Sequence, residues 1–132
     1  MLNKYLKEEY QFALKQVVFQ TVDECDEAEQ FEINVSDDIS VEVVDKDIIV
    51  DYWRNVYFYP NGIFEIKVNF GLKMSFKDEA KLEDDDINWA EELVSQENPY
   101  MRNVITRTSN IISNLTSSFG QQPLITPPVF VK

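Results

Sequence analysis

Apolar and polar residues alternate along two long stretches of the chain. In the stretch from Ile63 to Phe76 every even-numbered position is apolar, and the positions between are polar or glycine, apart from Ile63 itself. In the stretch from Phe31 to Val43 the odd-numbered positions are apolar, with Asp37 as the exception. Because successive side chains of a strand point to opposite faces, both stretches predict long antiparallel strands with one buried face.

Two further segments predict strands that complete the sheet. Residues Ile48 to Tyr59 are rich in β-branched and aromatic residues, and Pro60-Asn61-Gly62 follows with the residue types of a tight turn. This segment and the strand after it are therefore predicted to form a hairpin. Residues Phe12 to Val22 predict the first strand, and the short connections indicate an antiparallel meander.

The periodicity changes from two to about 3.6 residues after Lys77. A short helix is predicted around Trp89 to Val94, and a long one begins at Asn98-Pro99 and ends at Gly120. The last ten or so residues carry three prolines among apolar residues, so we expect them to run extended and to pack. The predicted fold class is α+β: one domain, 1–132, with a four-stranded antiparallel meander sheet followed by a short and a long helix on one face.

Composition and charge exclude several classes of function. The chain has 12 basic and 24 acidic residues, so its net charge of −12 repels nucleic acid and anionic membrane surfaces. It contains no histidine, which excludes imidazole metal sites and His-dependent nucleophiles, and one cysteine, Cys25, so it forms no internal disulfide. No apolar run is long enough for a signal sequence or a membrane anchor. We therefore expect a cytoplasmic protein.

Enzymatic chemistry is not expected from this sequence. The acidic runs Asp23 to Glu29 and Asp84 to Asp86 lack the spacing of a calcium loop, and solvent exposure or a helix N-terminus accounts for them. The three glycines are far apart, so no phosphate-binding loop is present. We therefore predict no catalytic residue, no metal and no cofactor.

The chain instead has more apolar residues in its strands than a half-exposed sheet requires. Trp53 and Tyr57 are expected on one face of the third strand, and Tyr52 and Phe58 on the other. In the first strand the same alternation predicts Leu14 on the face opposite Val17. Apolar groups on the second face must contact another subunit, a partner or a ligand. The candidate client- or subunit-binding residues are Phe19, Phe31, Ile33, Trp53, Tyr57 and Tyr59.

The last third of the chain carries a set of short motifs in a characteristic order. They are Pro99-Tyr100-Met101-Arg102 at the start of the long helix, Ile112-Ser113-Asn114-Leu115 near its end, and Gly120, Pro123, Leu124, Pro127, Pro128, Val129 and Phe130 after it. In this order and spacing the chain resembles the SecB family of protein-export chaperones. The earlier part of the chain resembles that family only in its succession of elements.

The resemblance implies an ATP-independent chaperone that holds non-native polypeptides in apolar surface grooves. It also implies a homotetramer, built as a dimer of dimers, and delivery of clients to the translocase motor SecA for export. The exposed face of the fourth strand departs from the acidic surface of export-dedicated members, because it alternates in sign through Glu65, Lys67 and Lys73. Two alternatives therefore stay open: a SecB-like chaperone dedicated to one partner such as an antitoxin, and a scaffold protein of the same fold without general chaperone activity.

Overall fold

Four strands and two helices follow one another along the chain in a computed structural model that describes residues 5–24, 27, 29–77, 88–95, 98–118 and 122–131. The elements are β1 (Leu6–Thr21), β2 (Glu32–Val44), β3 (Asp47–Tyr59), β4 (Phe64–Phe76), α1 (Trp89–Val94) and α2 (Pro99–Ser118). The predicted α+β class, with one antiparallel sheet followed by a short and a long helix, is confirmed. Cys25, the triplet Asp84 to Asp86 and the helix end predicted at Gly120 lie outside the described residues.

The strands lie side by side in the order β1-β4-β3-β2, and all neighbours are antiparallel. The meander prediction is correct for β2, β3 and β4 and wrong for β1, which pairs with β4 instead of β2. The end of β1 and the start of β2 therefore lie at opposite edges of the sheet, three strand spacings of about 4.8 Å each apart. The apolar pattern shows that β1 is a strand, but a strand with this pattern fits beside either neighbour.

The pairing of β1 with β4 contains an extra residue at Lys15. Leu14 is opposite Phe70, and the pairing resumes after Lys15 with the register moved by one residue. An extra residue reverses which positions point to each face. The face that the helices cover therefore receives even-numbered residues of β1 before Lys15 and odd-numbered residues after it. Leu14 consequently lies on the same face as Val17. The prediction that they lie on opposite faces is wrong because strict alternation takes no account of a bulge.

The helices and the C-terminal segment cover one face of the sheet, which we call the helix side. The predicted apolar face of α2 is confirmed, with Met101, Val104 and Ile112 buried against the sheet. Asn98 is the N-cap of this helix, since its Oδ1 accepts hydrogen bonds from the backbone N–H of Tyr100 at 2.9 Å and of Met101 at 3.4 Å. The sheet contributes to the core the alternate residues Ile48, Val50, Tyr52, Val56, Phe64, Ile66, Val68, Phe70, Leu72, Met74 and Phe76.

Residues 122–131, called the tail below, form no helix or strand, bend at Pro128 and Val129, and are held by α2, β2 and β3. The Thr116 hydroxyl accepts a hydrogen bond of 2.8 Å from the backbone N–H of Leu124, and the ring of Phe130 lies 6.3 Å from that of Tyr52. The expectation that this end of the chain packs is therefore confirmed. No helix within the described part of the chain is long and apolar enough to cross a membrane.

Candidate functional site

Four phenylalanine rings form a continuous row across the helix side at one end of the sheet. Phe19 of β1 stacks on Phe64 of β4 at 5.3 Å, and Phe64 meets Phe58 of β3 edge-on at 4.9 Å. Phe58 in turn meets Phe31, just before β2, at 6.5 Å. The strand register explains the row, because Thr21 pairs with Phe64 and Ile33 with Phe58 at this end of the sheet. We call these four residues the ring row.

The ring row is only partly covered, and exposed aliphatic side chains flank it. Of its four rings, only Phe64 is buried. Ile33 lies opposite Phe58 and is 46% exposed. Along β1 beside Phe19, Val17 is 38% and Leu14 is 48% exposed. The ring row with Leu14, Val17 and Ile33 therefore forms an open apolar surface, which we call the helix-side patch.

The path of α2 explains why this end of the sheet stays open. The helix contacts the first part of β1 through its N-terminal half and reaches β3 further along. The Tyr100 hydroxyl donates to the Lys7 carbonyl (2.8 Å), the Asn103 amide donates to the Tyr10 hydroxyl (2.8 Å), and the Arg107 guanidinium lies over the Phe12 ring (4.7 Å). Further along the helix, the Ser109 hydroxyl accepts a hydrogen bond from the Arg54 guanidinium of β3 (3.0 Å). The strand residues after Phe12 on the helix side thus lie beyond these contacts, and Leu14 is the first of them.

The structure divides the six predicted binding residues between the two faces of the sheet. Phe19, Phe31 and Ile33 come together in the helix-side patch. The other three, Trp53, Tyr57 and Tyr59, point to the opposite face, as the alternation along β3 requires. Tyr59 is 68% exposed there. The six residues therefore form two separate surfaces, and their roles in binding stay predictions.

The predicted binding residues lack four members of the helix-side patch, namely Leu14, Val17, Phe58 and Phe64. Phe58 and Phe64 follow the alternation of β3 and β4, and alternation gives no sign that they lie at the open end of a face. Leu14 was expected on the face opposite Val17, but the bulge at Lys15 places it on the same face. The order of the strands decides which residues meet at the end of a sheet. The alternation along a single strand does not reveal that order.

On the opposite face, called the outer face, Asp51 is the centre of a polar network. Its carboxylate accepts hydrogen bonds from Lys15 Nζ (3.1 Å), Trp53 Nε1 (3.0 Å) and Asn69 Nδ2 (2.9 Å). Partial burial by itself raises the pKa of Asp51, but the hydrogen bonds outweigh it, and the net effect lowers the pKa. A shallow depression of about 570 Å³ opens beside this network above Gly71. Within the described residues, no group of three or more carboxylates or thiols could hold a metal ion.

The tail is anchored by a buried ion pair between β2 and β3. Arg54 donates to both carboxylate oxygens of Asp37 at 2.8 Å. The same guanidinium donates to the Thr126 hydroxyl at 3.0 Å and to the carbonyls of Pro127 at 2.6 Å and Val129 at 2.9 Å. Burial opposes the charge on Arg54, but the hydrogen bonds and charge of Asp37 outweigh it and raise the pKa of Arg54.

Comparison with solved structures shows the same fold in a chaperone. The chain aligns with the SecB-like chaperone Rv1957 of Mycobacterium tuberculosis, solved in complex with a ChAD peptide from the antitoxin Rv1956 HigA1. The TM-score is 0.68 at 10% sequence identity, and the alignment covers 97% of this chain and 90% of the other. No protein-family model matches the chain, and no curated protein matches it in sequence. The structure therefore supports the SecB-like resemblance at the level of the fold.

Proposed function

We propose that this protein is a non-catalytic, ATP-independent chaperone that binds segments of non-native polypeptide on the helix-side patch. The observation that carries this proposal is the half-covered ring row with Leu14, Val17 and Ile33 exposed beside it. Soluble proteins rarely leave a continuous apolar surface of this kind open unless it contacts a partner. An unfolded chain exposes the apolar side chains that such a surface buries.

The ring row provides anchors of the kind that dominate binding energy. Half-buried aromatic rings lose little side-chain entropy on binding, since their neighbours already hold them. Burial of apolar area contributes about 25 cal/mol per Å², and this gain on binding requires no nucleotide. Binding of the unfolded state lowers the free concentration of aggregating chains by mass action. Holding a client therefore requires no chemical step.

The fold comparison supports a polypeptide as the ligand. The structure of Rv1957 contains a bound peptide, and that peptide comes from an antitoxin. This favours as a second candidate a chaperone dedicated to one small partner protein, with the same patch as its binding site. Export through SecA is the less favoured variant, because Lys67 and Lys73 on the exposed face of β4 oppose the acidic character of the SecA-binding surface that the resemblance implies.

Self-association and a cytoplasmic location complete the proposal. Tyr57 and Tyr59 give the outer face an exposed aromatic surface, and β1 leaves one edge of the sheet without a neighbouring strand. Either feature provides a contact between copies, in a dimer or a dimer of dimers. Light scattering at micromolar concentration measures the state directly. A strict monomer would show that these surfaces do not serve self-association.

The test of client binding compares two double variants that remove equally exposed aliphatic residues from opposite faces. Val17→Ser/Ile33→Ser alters the helix-side patch. Val44→Ser/Ile49→Ser alters the outer face, where these side chains are 43% and 38% exposed. We measure by light scattering how each protein, without ATP, suppresses aggregation of thermally unfolded citrate synthase.

We expect the wild type and the outer-face variant to suppress aggregation at stoichiometric amounts, and the patch variant to lose most of this activity. Equal activity of the two variants would place client binding elsewhere. If the wild type gives no protection at severalfold excess, general chaperone activity is excluded. Capture of one specific small protein from the native host would then support the dedicated chaperone.

A further inference from the structure

The edge of β2 that faces away from β3 is an open strand edge next to the helix-side patch. β2 is the last strand of the sheet, and its register with β3 is continuous from Glu32 to Val44. The backbone N–H of Asp37 points away from β3, because it donates to the carbonyl of Val131 in the tail at 3.0 Å. In a regular strand every second residue directs its backbone groups to the same side. Ile33 and Val35 therefore direct theirs to the open edge as well.

The tail meets this edge at Asp37, where the Val131 carbonyl accepts a hydrogen bond from the Asp37 N–H. In the sheet of the described residues, β2 has a neighbouring strand on its β3 side alone. The open part at Ile33 and Val35 lies directly beside Phe31 and Phe58 of the ring row. Unpaired backbone N–H and C=O groups along an edge are a template for a further strand.

The tail shows how this region holds a segment of chain by its backbone atoms. Asp37 binds Val131 twice, since its N–H donates to the Val131 carbonyl at 3.0 Å and its carboxylate accepts from the Val131 N–H at 2.8 Å. Arg54 binds the carbonyls of Pro127 and Val129. These bonds are made to backbone atoms, which every residue type provides. The mode of recognition is therefore largely independent of sequence.

We propose that a client segment binds as an extended fifth strand along the edge of β2 at Ile33 and Val35, in line with the tail. Its backbone pairs with these two residues, and its alternate side chains lie on the ring row. The occupant is a non-native segment with apolar residues at every second position and no proline at the pairing positions. This inference rests on the proposed function and specifies how the same patch captures its client.

Strand addition accounts for broad client choice better than side-chain contacts alone. Backbone hydrogen bonds contribute affinity that does not depend on the identity of the side chains, and the ring row accepts many apolar residues. Loss of one backbone hydrogen bond weakens binding about fivefold, and loss of the two bonds at a single residue weakens it about tenfold or more.

The first experiment uses a fluorescein-labelled synthetic octapeptide that alternates Val or Phe with Ser or Lys. Three forms are compared by fluorescence anisotropy with the wild-type protein: unmodified, N-methylated at the odd positions, and N-methylated at the even positions. Backbone N-methylation blocks one edge of an extended peptide and leaves its side chains unchanged. We expect one methylated peptide to bind about tenfold or more weakly than the unmodified form. Equal affinity of all three would overturn the proposal.

The second experiment changes the protein at Ile33. Ile33→Pro removes the outward N–H and leaves the ladder with β3 intact, because this N–H does not point to β3. Ile33→Ala is the matched control, since it removes the same side chain and keeps the N–H. Because the variant loses one hydrogen bond, we expect Ile33→Pro to bind the unmodified peptide about fivefold more weakly than Ile33→Ala. Equal affinity of the two variants would contradict strand addition.

The outcomes separate this inference from the proposed function. If the wild type binds neither the unmodified peptide nor unfolded citrate synthase, client binding itself is wrong. If it binds both and N-methylation has no effect, clients bind through side chains only, and strand addition alone is wrong. The methylated peptides use the wild-type protein, so the test stands even if Ile33→Pro fails to fold.

Discussion

Arg54 and Asp37 face each other across β3 and β2, joined by two hydrogen bonds of 2.8 Å, and neither side chain is exposed to solvent. They are a non-hydrogen-bonded pair of the antiparallel ladder, since the Asp37 N–H points away from β3. In pairs of this type the two side chains are closer together than in hydrogen-bonded pairs. The remaining donors of Arg54 bind the tail and the Ser109 hydroxyl of α2. One ion pair therefore joins two strands and the C-terminal segment.

Removal of the positive charge is expected to destabilise the fold strongly. Arg54→Met leaves Asp37 buried without its partner, and loss of one member of a buried ion pair costs about 3–5 kcal/mol. Urea denaturation measures the free energy of unfolding. The double variant Asp37→Leu/Arg54→Met should recover part of this loss, because no unpaired charge stays buried. A change below about 1 kcal/mol in Arg54→Met would contradict the buried pair.

Tyr52→Phe is expected to leave the protein equally stable or to stabilise it. The Tyr52 hydroxyl is buried beside Arg54 and Asp37, and it makes no hydrogen bond within the described residues. Burial raises the pKa of Tyr52, so the hydroxyl stays protonated. Removal of an unsatisfied buried hydroxyl is worth up to about 1 kcal/mol. Thermal unfolding measures the change, and a loss of more than about 1 kcal/mol would show that the hydroxyl has a partner.

The attachment of the tail is expected to depend on Thr126 and very little on its neighbour. Thr126→Val keeps the shape of the side chain and removes the hydroxyl that accepts a hydrogen bond from Arg54. Hydrogen bonds to charged groups contribute about 1.5–3 kcal/mol. Ile125→Ser is the control, because Ile125 is 77% exposed. Hydrogen exchange of the Val131 amide reports attachment, and it should speed up in Thr126→Val only. Equal exchange in both variants would exclude this role.

The contribution of Asp51 to stability is expected to fall at acid pH. Its pKa is lowered below the ordinary value of 3.8 in the folded protein. A lowered folded pKa stabilises the folded state above the unfolded pKa, and this stabilisation disappears as the pH falls through the folded pKa. The difference in unfolding free energy between wild type and Asp51→Asn should therefore be largest above about pH 5 and shrink below about pH 4. A difference that is constant from pH 7 to pH 3 would contradict the shift.

The strands and helices were largely predictable from the sequence because their signals are local. The predicted fourth strand, Ile63 to Phe76, and the observed Phe64–Phe76 differ by one residue, and the long helix begins at Pro99 as predicted. The proline and the Asn98 cap mark a helix start through local bonds. β1 begins at Leu6, well before the predicted Phe12. The prediction missed the first part of the strand because Lys7, Glu8 and Glu9 show no alternation of apolar and polar residues.

The candidate site was predictable only in part. Phe19, Phe31 and Ile33 were identified as surplus apolar residues, and the structure brings them together. Their separation from Trp53, Tyr57 and Tyr59 follows from alternation, but the assembly of the ring row depends on β1 lying beside β4. The bulge at Lys15, which adds Leu14 to the patch, leaves no local signal in the sequence.

By itself the sequence determined which segments are strands and helices and which face of each is apolar, because periodicity and end signals act between residues that are close along the chain. The tertiary structure decided the order of the strands, the partner of Asp37 and the uncovered end of the sheet. Asp37 stands out in the sequence as a polar residue in an apolar register, and Arg54 likewise among the core positions of β3. Only packing shows that each satisfies the other, since the energy of a buried charge depends on what lies next to it in space.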